Sequence, residues 1–208
     1  MTPAPRHGTP LAFVVAGGRS SRMGRDKALL PYRGATFLEH ALVKARAVSS
    51  DVAILCGPTR RYEGFGAPVL EDAICGAGPL SGLYSALVSA SALGRERMVW
   101  LGVDLPLVPP AFLARLIGEL DRAEVAIARS PRGPEPLCAA FTTEATLKAV
   151  RRALLSGQLK LTSAFDVLKV TLVDGDEGSF ANINSPAEYE TLPAHLVPAV
   201  PESDAGGT

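Results

Sequence analysis

Phe13-Val14-Val15-Ala16-Gly17-Gly18-Arg19-Ser20-Ser21-Arg22-Met23-Gly24-Arg25-Asp26-Lys27 is the stretch that decides how the rest of the chain is read. The run Leu11–Val15 reads as a short buried strand, and it ends at paired glycines. Such glycines let a backbone turn with positive φ and approach a ligand with no Cβ in the way. Successive N–H groups in a turn of this kind form a concave anion site, to which Arg19, Arg22, Arg25 and Lys27 add charge. Cations crowded into one loop repel one another unless an anion lies between them, and a polyphosphate meets that need. Two familiar phosphate loops are excluded. Lys27 stands between Asp26 and Ala28, which is not the Gly-Lys-Ser/Thr ending of a Walker loop, and Gly17-Gly18-Arg19 breaks the dinucleotide fingerprint.

Downstream of this loop, short apolar runs alternate with longer segments of helical spacing. Val52–Cys56, Met98–Val103 and Glu124–Ala128 read as further buried strands, being short and rich in Val, Ile and Ala. Thr36–Val48, Leu80–Leu93, Pro109–Leu120 and Thr143–Leu155 read as helices; in the first, Phe37, Ala41, Val43-Lys44-Ala45 and Val48 supply the apolar face. Alternation of this kind predicts a single α/β domain of Rossmann-like type, a mostly parallel sheet with helices on both faces, over residues 10–192. Residues 1–9 and 193–208, rich in Pro, Gly and small polar residues, are expected to be disordered. With 21 Lys plus Arg against 21 Asp plus Glu, no global field favours nucleic acid or an anionic membrane, and no apolar run reaches membrane-spanning length. Cys56, Cys75 and Cys138 are scattered and odd in number, so they read as reduced thiols of a cytoplasmic protein.

In open parallel sheets ligands bind beyond the carboxyl ends of the strands. Asp104, directly after Met98–Val103 and before Leu105-Pro106, stands at such an end. It reads either as a turn cap or as a ligand for a hard cation, and its place after that strand favours the cation; magnesium takes one or two carboxylates together with phosphate oxygens and water. Gly76-Ala77-Gly78-Pro79-Leu80-Ser81-Gly82 opens an apolar helix, where glycines admit a base or phosphate to the free N–H groups or else serve tight packing. Asp72 follows the short run Pro68–Leu70 and could as easily be a solvated turn residue. Asn182 and Asn184 share one face of an extended segment with Ile183 on the other, before a helix capped by Ser185 and begun by Pro186. The three histidines, His7, His40 and His195, form no nucleophilic constellation.

These segments resemble the molybdenum cofactor guanylyltransferases, the MobA-like nucleotidyltransferases. Their signature lies near L-A-G-G-x-x-x-R-M-G-x-D-K, matched by Val15-Ala16-Gly17-Gly18, Arg22-Met23-Gly24 and Asp26-Lys27, and the likeness extends over about residues 11–191. The resemblance implies transfer of GMP from GTP to molybdenum-molybdopterin, giving the guanine dinucleotide cofactor and pyrophosphate. It implies catalytic roles for Lys27, Arg22 and Asp104, with Asp104 holding Mg2+. It implies nucleotide binding by Val15, Ala16, Gly17, Gly18, Lys27, Asp72, Gly78 and Asp104, and acceptor binding by Asn182, Asn184 and Lys160; a solvated lysine is the other reading of Lys160. Pro136-Leu137 corresponds to a segment lining the family's substrate cleft. Molybdoenzymes or their chaperones are candidate partners downstream, and neither nucleic acid nor membrane is expected. Where the family often carries a base-contacting Asn, this chain has Cys56, which weakens the expectation that this strand end reads the base. Three rivals stand beside this reading. A cytidylyltransferase tends to have Ala-Ala-Gly in place of Ala16-Gly17-Gly18, a noncatalytic binding module would be expected to lose Lys27 or Asp104, and a sugar-nucleotide glycosyltransferase usually carries D-x-D.

Overall fold

A computed structural model describes residues 8–17, 26–74, 78–180, 183 and 185–192. Strand β1, Leu11–Val15, is an interior strand of the sheet, with every residue of its Ala-Phe-Val core buried. The chain continues through a small hairpin of β2 (Pro31–Tyr32) and β3 (Ala35–Thr36), helix α1 (Phe37–Arg46), β4 (Asp51–Leu55) and β5 (Val69–Leu70). Then follow α2 (Pro79–Ala92), β6 (Arg97–Gly102), α3 (Pro110–Glu119), β7 (Val125–Ser130) and β8 (Gly133–Thr142). Helix α4 (Thr143–Leu155), β9 (Val170–Asp174) and a short α5 (Pro186–Glu190) complete the described chain.

Seven strands form one sheet in the order β5-β4-β1-β6-β8-β7-β9. All pairings are parallel except those of β8, which runs antiparallel to both β6 and β7. The expected α/β sheet with helices on both faces is therefore present, with one reversed strand. The C-terminal half of that reversed strand is paired to β6 from Leu101↔Cys138 to Arg97↔Thr142. Strand β9 has no counterpart in the sequence reading. It lies at the sheet edge with Val170 and Leu172 partly exposed and only Val173 buried, so its apolar run is weakly patterned.

One core cluster packs α1 and α3 against the sheet, and a second packs α2 and α4 against the other face. Trp100 anchors the second, with Phe141 edge-on at 5.5 Å and its indole N–H donated to the Pro136 carbonyl at 2.8 Å. Helix α1 begins at a capping box: Thr36 Oγ1 accepts the Glu39 N–H at 3.2 Å while the Glu39 carboxylate accepts the Thr36 N–H at 2.6 Å. Its buried face carries Phe37, Leu38, Ala41, Leu42, Lys44 and Ala45, whereas Val43 is 36 % exposed. This corrects the sequence-based face, since at 100° per residue Lys44 stacks over Ala41 and Phe37 and Val43 falls outside. Helix α3 starts at Pro110, with Pro109 as its N-cap. Among the described residues no helix is long and apolar enough to cross a membrane.

The capping box predicts that Thr36→Ala lowers the free energy of unfolding by about 1 kcal/mol. A urea titration with an unchanged slope should show it; a loss well under half that size would leave the N–H groups satisfied by water.

Candidate active site

The parallel register delivers three strand ends to one place. Val15 is paired to Leu55 on one side and to Gly102 on the other, so β1, β4 and β6 end level with one another. Beyond β1 the N–H groups of Ala16 and Gly17 both donate to Leu55 O at 2.9 Å, and Val103 donates to Val15 O at 3.1 Å. Gly17 crosses so close to the next strand end that a Cβ there would lie 2.7 Å from Gly57 Cα and 2.9 Å from the Cys56 carbonyl carbon. Only glycine fits, but what it admits is the Gly57 backbone and not a ligand, and its φ is not positive, which corrects the turn expected there. Gly18 and Arg22 lie outside the described residues.

The Asp26 carboxylate caps the 3-10 turn Lys27–Leu29 by accepting the Ala28 N–H at 3.1 Å. That turn sets Lys27 Nζ 3.9 Å from Asp104 Oδ2, with the two side chains only 15 % and 12 % exposed. Burial pushes the Lys27 ammonium below its ordinary value against the opposing pull of Asp104 and Glu188. Burial likewise pushes the Asp104 carboxyl up, resisted by Lys27 and reinforced by Glu135. Asp104 Oδ1 is buried and has no hydrogen-bond partner among the described residues. A buried carboxylate oxygen left in this way costs free energy, and a hard cation is the group that would complete it. A single carboxylate fits a divalent metal whose other ligands would be phosphate oxygens and water; no group of three or more potential protein ligands occurs among the described residues.

The other predicted residues divide. Asp72 follows β5, with its backbone N–H on Gly57 O at 2.9 Å and its half-buried carboxyl pushed up by burial. It faces α2, where a Cβ on Gly82 would lie 3.4 Å from its Oδ1. Gly78 is the N-cap of α2 with φ 56°, a conformation that favours glycine, and Pro79 takes the first helical position. Leu137 packs beside Gly102, 3.1 Å from where a Cβ would stand. Ile183 is buried in the core and donates its N–H to Asp104 O at 3.0 Å. Ile183 is thus pinned to Asp104; Asn182 and Asn184 lie outside the described residues. Lys160 is exposed at the start of the 3-10 turn Leu161–Ala164, apart from these contacts. Cys56 is fully buried and donates its thiol to Leu70 O at 3.1 Å, so it is a packing residue. His40 is buried with Nε2 2.6 Å from Tyr32 O, a structural role.

Several residues of the site were not singled out from sequence. Ser81 and Ser85 accept the N–H groups of Ile74 and Ala73 at 3.1 and 2.8 Å, strapping the Asp72 loop to α2. Glu135 accepts from Ser130 Oγ at 2.8 Å and so brings a second negative charge toward Asp104. Lys44, deep in α1, donates to the carbonyl of Pro106 and steadies the turn after Asp104. A lysine inside an apolar helix face was the available signal.

Known proteins resemble this chain over most of its length. The profile of the MobA-like NTP transferase domain matches residues 12–170. The chain belongs to that family. It is 32 % identical over 185 residues to a molybdenum cofactor guanylyltransferase of Xanthomonas euvesicatoria, spanning 86 % of this chain and 92 % of that one. Among solved structures it resembles molybdopterin-guanine dinucleotide biosynthesis protein A from Archaeoglobus fulgidus, at 25 % identity and TM-score 0.69 over 86 % of this chain and 94 % of that one. The fold is also that of a 2-C-methyl-D-erythritol 4-phosphate cytidylyltransferase from Thermus thermophilus, at 21 % identity and TM-score 0.63 over 86 % and 95 %. As a MobA-like domain the chain is a nucleotidyltransferase, and its glycine crossing and Lys27–Asp104 pair lie within the matched region.

Two outcomes follow. Gly17→Ala forces apart two backbones and should abolish nucleotide binding in a protein that still melts cooperatively; wild-type affinity in a GTP titration would contradict the close approach. Burial holds the Lys44 ammonium down to about 8 from an ordinary 10.5, with Cys138 pulling it back up. Between those pH values the unfolded chain keeps a proton that the folded chain gives up, so this group's contribution favours folding more as pH rises. Lys44→Met removes the effect, and the melting-temperature difference should move toward the wild type between about pH 8 and 10; a constant difference would place the ammonium in water.

Proposed function

We propose that this nucleotidyltransferase moves GMP from GTP to molybdenum-molybdopterin and releases pyrophosphate. The observation that supports it most is Lys27 beside Asp104 at the ends of β1 and β6, each burdened by burial and one carboxylate oxygen without a partner among the described residues. An ammonium answers to a polyphosphate and a bare carboxylate oxygen to a cation, so the pair together calls for a metal–nucleotide triphosphate. Mg2+ held by Asp104 would neutralise phosphate charge. We assign Val15, Ala16, Gly17, Gly18, Asp72 and Gly78 to the nucleotide, and Arg22 together with Lys27 to the triphosphate. Asn182 and Asn184, with Ile183 anchored on Asp104 O, would hold the acceptor, with Lys160 as an outer cation.

The chemistry needs no covalent enzyme intermediate. An ionised phosphate oxygen of the molybdopterin attacks the α-phosphorus in line; the new P–O bond forms as the bond to the bridging β-oxygen breaks, and the electron pair leaves with pyrophosphate. No proton has to be removed from the nucleophile. The chain contributes position and charge, as in phosphoryl transfer generally. Molybdoenzymes or their chaperones would take the product.

The relatives named guanylyltransferases and the Gly17-Gly18 pair favour guanine. Thermal melts with Mg2+ and each of GTP, CTP, ATP and UTP should show the largest rise with GTP, since a ligand of the native state alone stabilises it. An equal rise with CTP would remove the guanine assignment. In steady-state assays Lys27→Ala should lower kcat by about 10²–10³, the usual cost of losing one donor to developing charge. Lys27→Arg should recover only part of the loss, because a planar fork does not replace a compact ammonium. A raised KM with unchanged kcat would reduce Lys27 to ground-state binding.

A further inference from the structure

One hydroxyl reaches both described ends of the glycine- and arginine-rich segment. Tyr62 Oη lies 3.0 and 2.9 Å from the two oxygens of Asp26 and 3.3 Å from Ala16 O. A phenol has a single proton. The shorter contacts claim it for Asp26, and the Ala16 carbonyl is the weaker arm of a shared bond. Burial and the Asp26 carboxylate both push the Tyr62 hydroxyl up, so it stays a donor. Arg61 closes the arrangement from outside. Its Nη1 lies 3.1 Å from Asp26 Oδ2, its Nη2 donates to Cys56 O at 3.2 Å, and its guanidinium stacks 5.1 Å from the centre of the Tyr62 ring.

The backbone at Tyr62 is strained. Its φ of 71° lies in the left-handed region, uncommon for a bulky side chain, at a cost of about 1–3 kcal/mol. Such strain persists only where surroundings over-determine it, as they do here: the ring is 7 % exposed and packs edge-on to Phe65 at 6.4 Å. Asp26, the receiver of both contacts, caps the turn that carries Lys27. The strained tyrosine is therefore coupled through one carboxylate to the cation of the site.

We propose that Tyr62, supported by Arg61, is a positioning residue that clasps Ala16 to Asp26 and thereby fixes Lys27 for the phosphates. It acts through Asp26 and Lys27. The inference rests on the reading of Lys27 as the triphosphate cation.

The test uses the full chain and a double-mutant cycle of Tyr62→Phe with Lys27→Ala. Two readouts are taken for each variant, GMP transfer (kcat and KM for GTP) and calorimetric binding of inorganic tripolyphosphate, with thermal melts beside them. Phenylalanine keeps the ring and removes only the hydroxyl, so the variant should fold. In the Lys27 background, removing a hydrogen bond to a charged group should lower kcat and tripolyphosphate affinity by about tenfold. In the Lys27→Ala background it should lower neither, because the residue that it positions is gone. Arg61→Gln should repeat the pattern at smaller size and serves if Tyr62→Phe melts early. Equal losses in both backgrounds, tracking the melting temperature, would make Tyr62 a purely structural residue and overturn the proposal. No loss in either would do the same. If the wild type binds tripolyphosphate yet transfers no GMP, the reaction assignment fails while the binding arm still decides the clasp.

Discussion

The backbone contact between Gly17 and Gly57 is the constraint on which the site depends. Because β1 is hydrogen-bonded in parallel register to β4 and β6, its exit can only pass over the end of β4. The missing Cβ lets it pass at van der Waals distance from the Gly57 backbone. A methyl group at that crossing would force the Gly17 and Gly57 backbones apart. The distance from Lys27 to Asp104 is then not a matter of two long side chains finding each other. It is inherited from strand register on one side and from the capped turn at Asp26 on the other. Preorganisation of this kind is what positions charge for phosphate chemistry without reorganisation during the reaction.

Electrostatics at this edge are arranged against the resting charges. Lys27 and Lys44 are both held below the ordinary lysine range by burial, while Asp104 and Asp72 are held above the ordinary carboxyl range by the same cause. Ion pairing alone does not resolve this, because Lys27 and Asp104 stand 3.9 Å apart and one Asp104 oxygen has no partner among the described residues. Perturbed groups of this kind gather where a site binds a highly charged ligand. Lys44 is the exception that serves structure. Its ammonium is turned to a carbonyl of the turn after Asp104, and the helix face around it is apolar.

Much of the fold was legible because burial periodicity is a local signal. The strands ending at Val15, Leu55 and Gly102 and the helices on either face follow directly from apolar spacing, to within two or three residues at their ends. Strand direction is not local, and nothing in Cys138-Ala139-Ala140-Phe141 says that β8 runs against its neighbours. Edge strand β9 escaped for a related reason, since one buried residue in five makes no pattern. At the site, Gly17, Lys27, Asp72, Gly78 and Asp104 could be read because each stands at a strand or helix end in a recognisable motif. Tyr62 and Arg61 could not. They lie in a loop with no periodicity, and their importance arises from contacts to Asp26 across 36 and 35 positions of chain.

Placing these costs together at one edge explains how the fold tolerates them. A left-handed tyrosine, a buried lysine and a half-satisfied buried carboxylate would each destabilise a small protein noticeably. Here each lies beside deeply buried apolar residues. Tyr62 belongs to the same core cluster as Val14, Ile54 and Leu101, and Lys44 shares its helix face with Phe37, Ala41 and Leu42. Asp104 is flanked by Val103 and Leu105, both buried in that cluster as well. The apolar contacts that form the sheet therefore hold the strained and charged groups in place, since releasing any one of them would require withdrawing its buried neighbours. Coupling of this sort converts packing energy into positional accuracy at the strand ends. It places that accuracy on the α1–α3 side of the sheet, where the chain ends of β1, β4 and β6 meet.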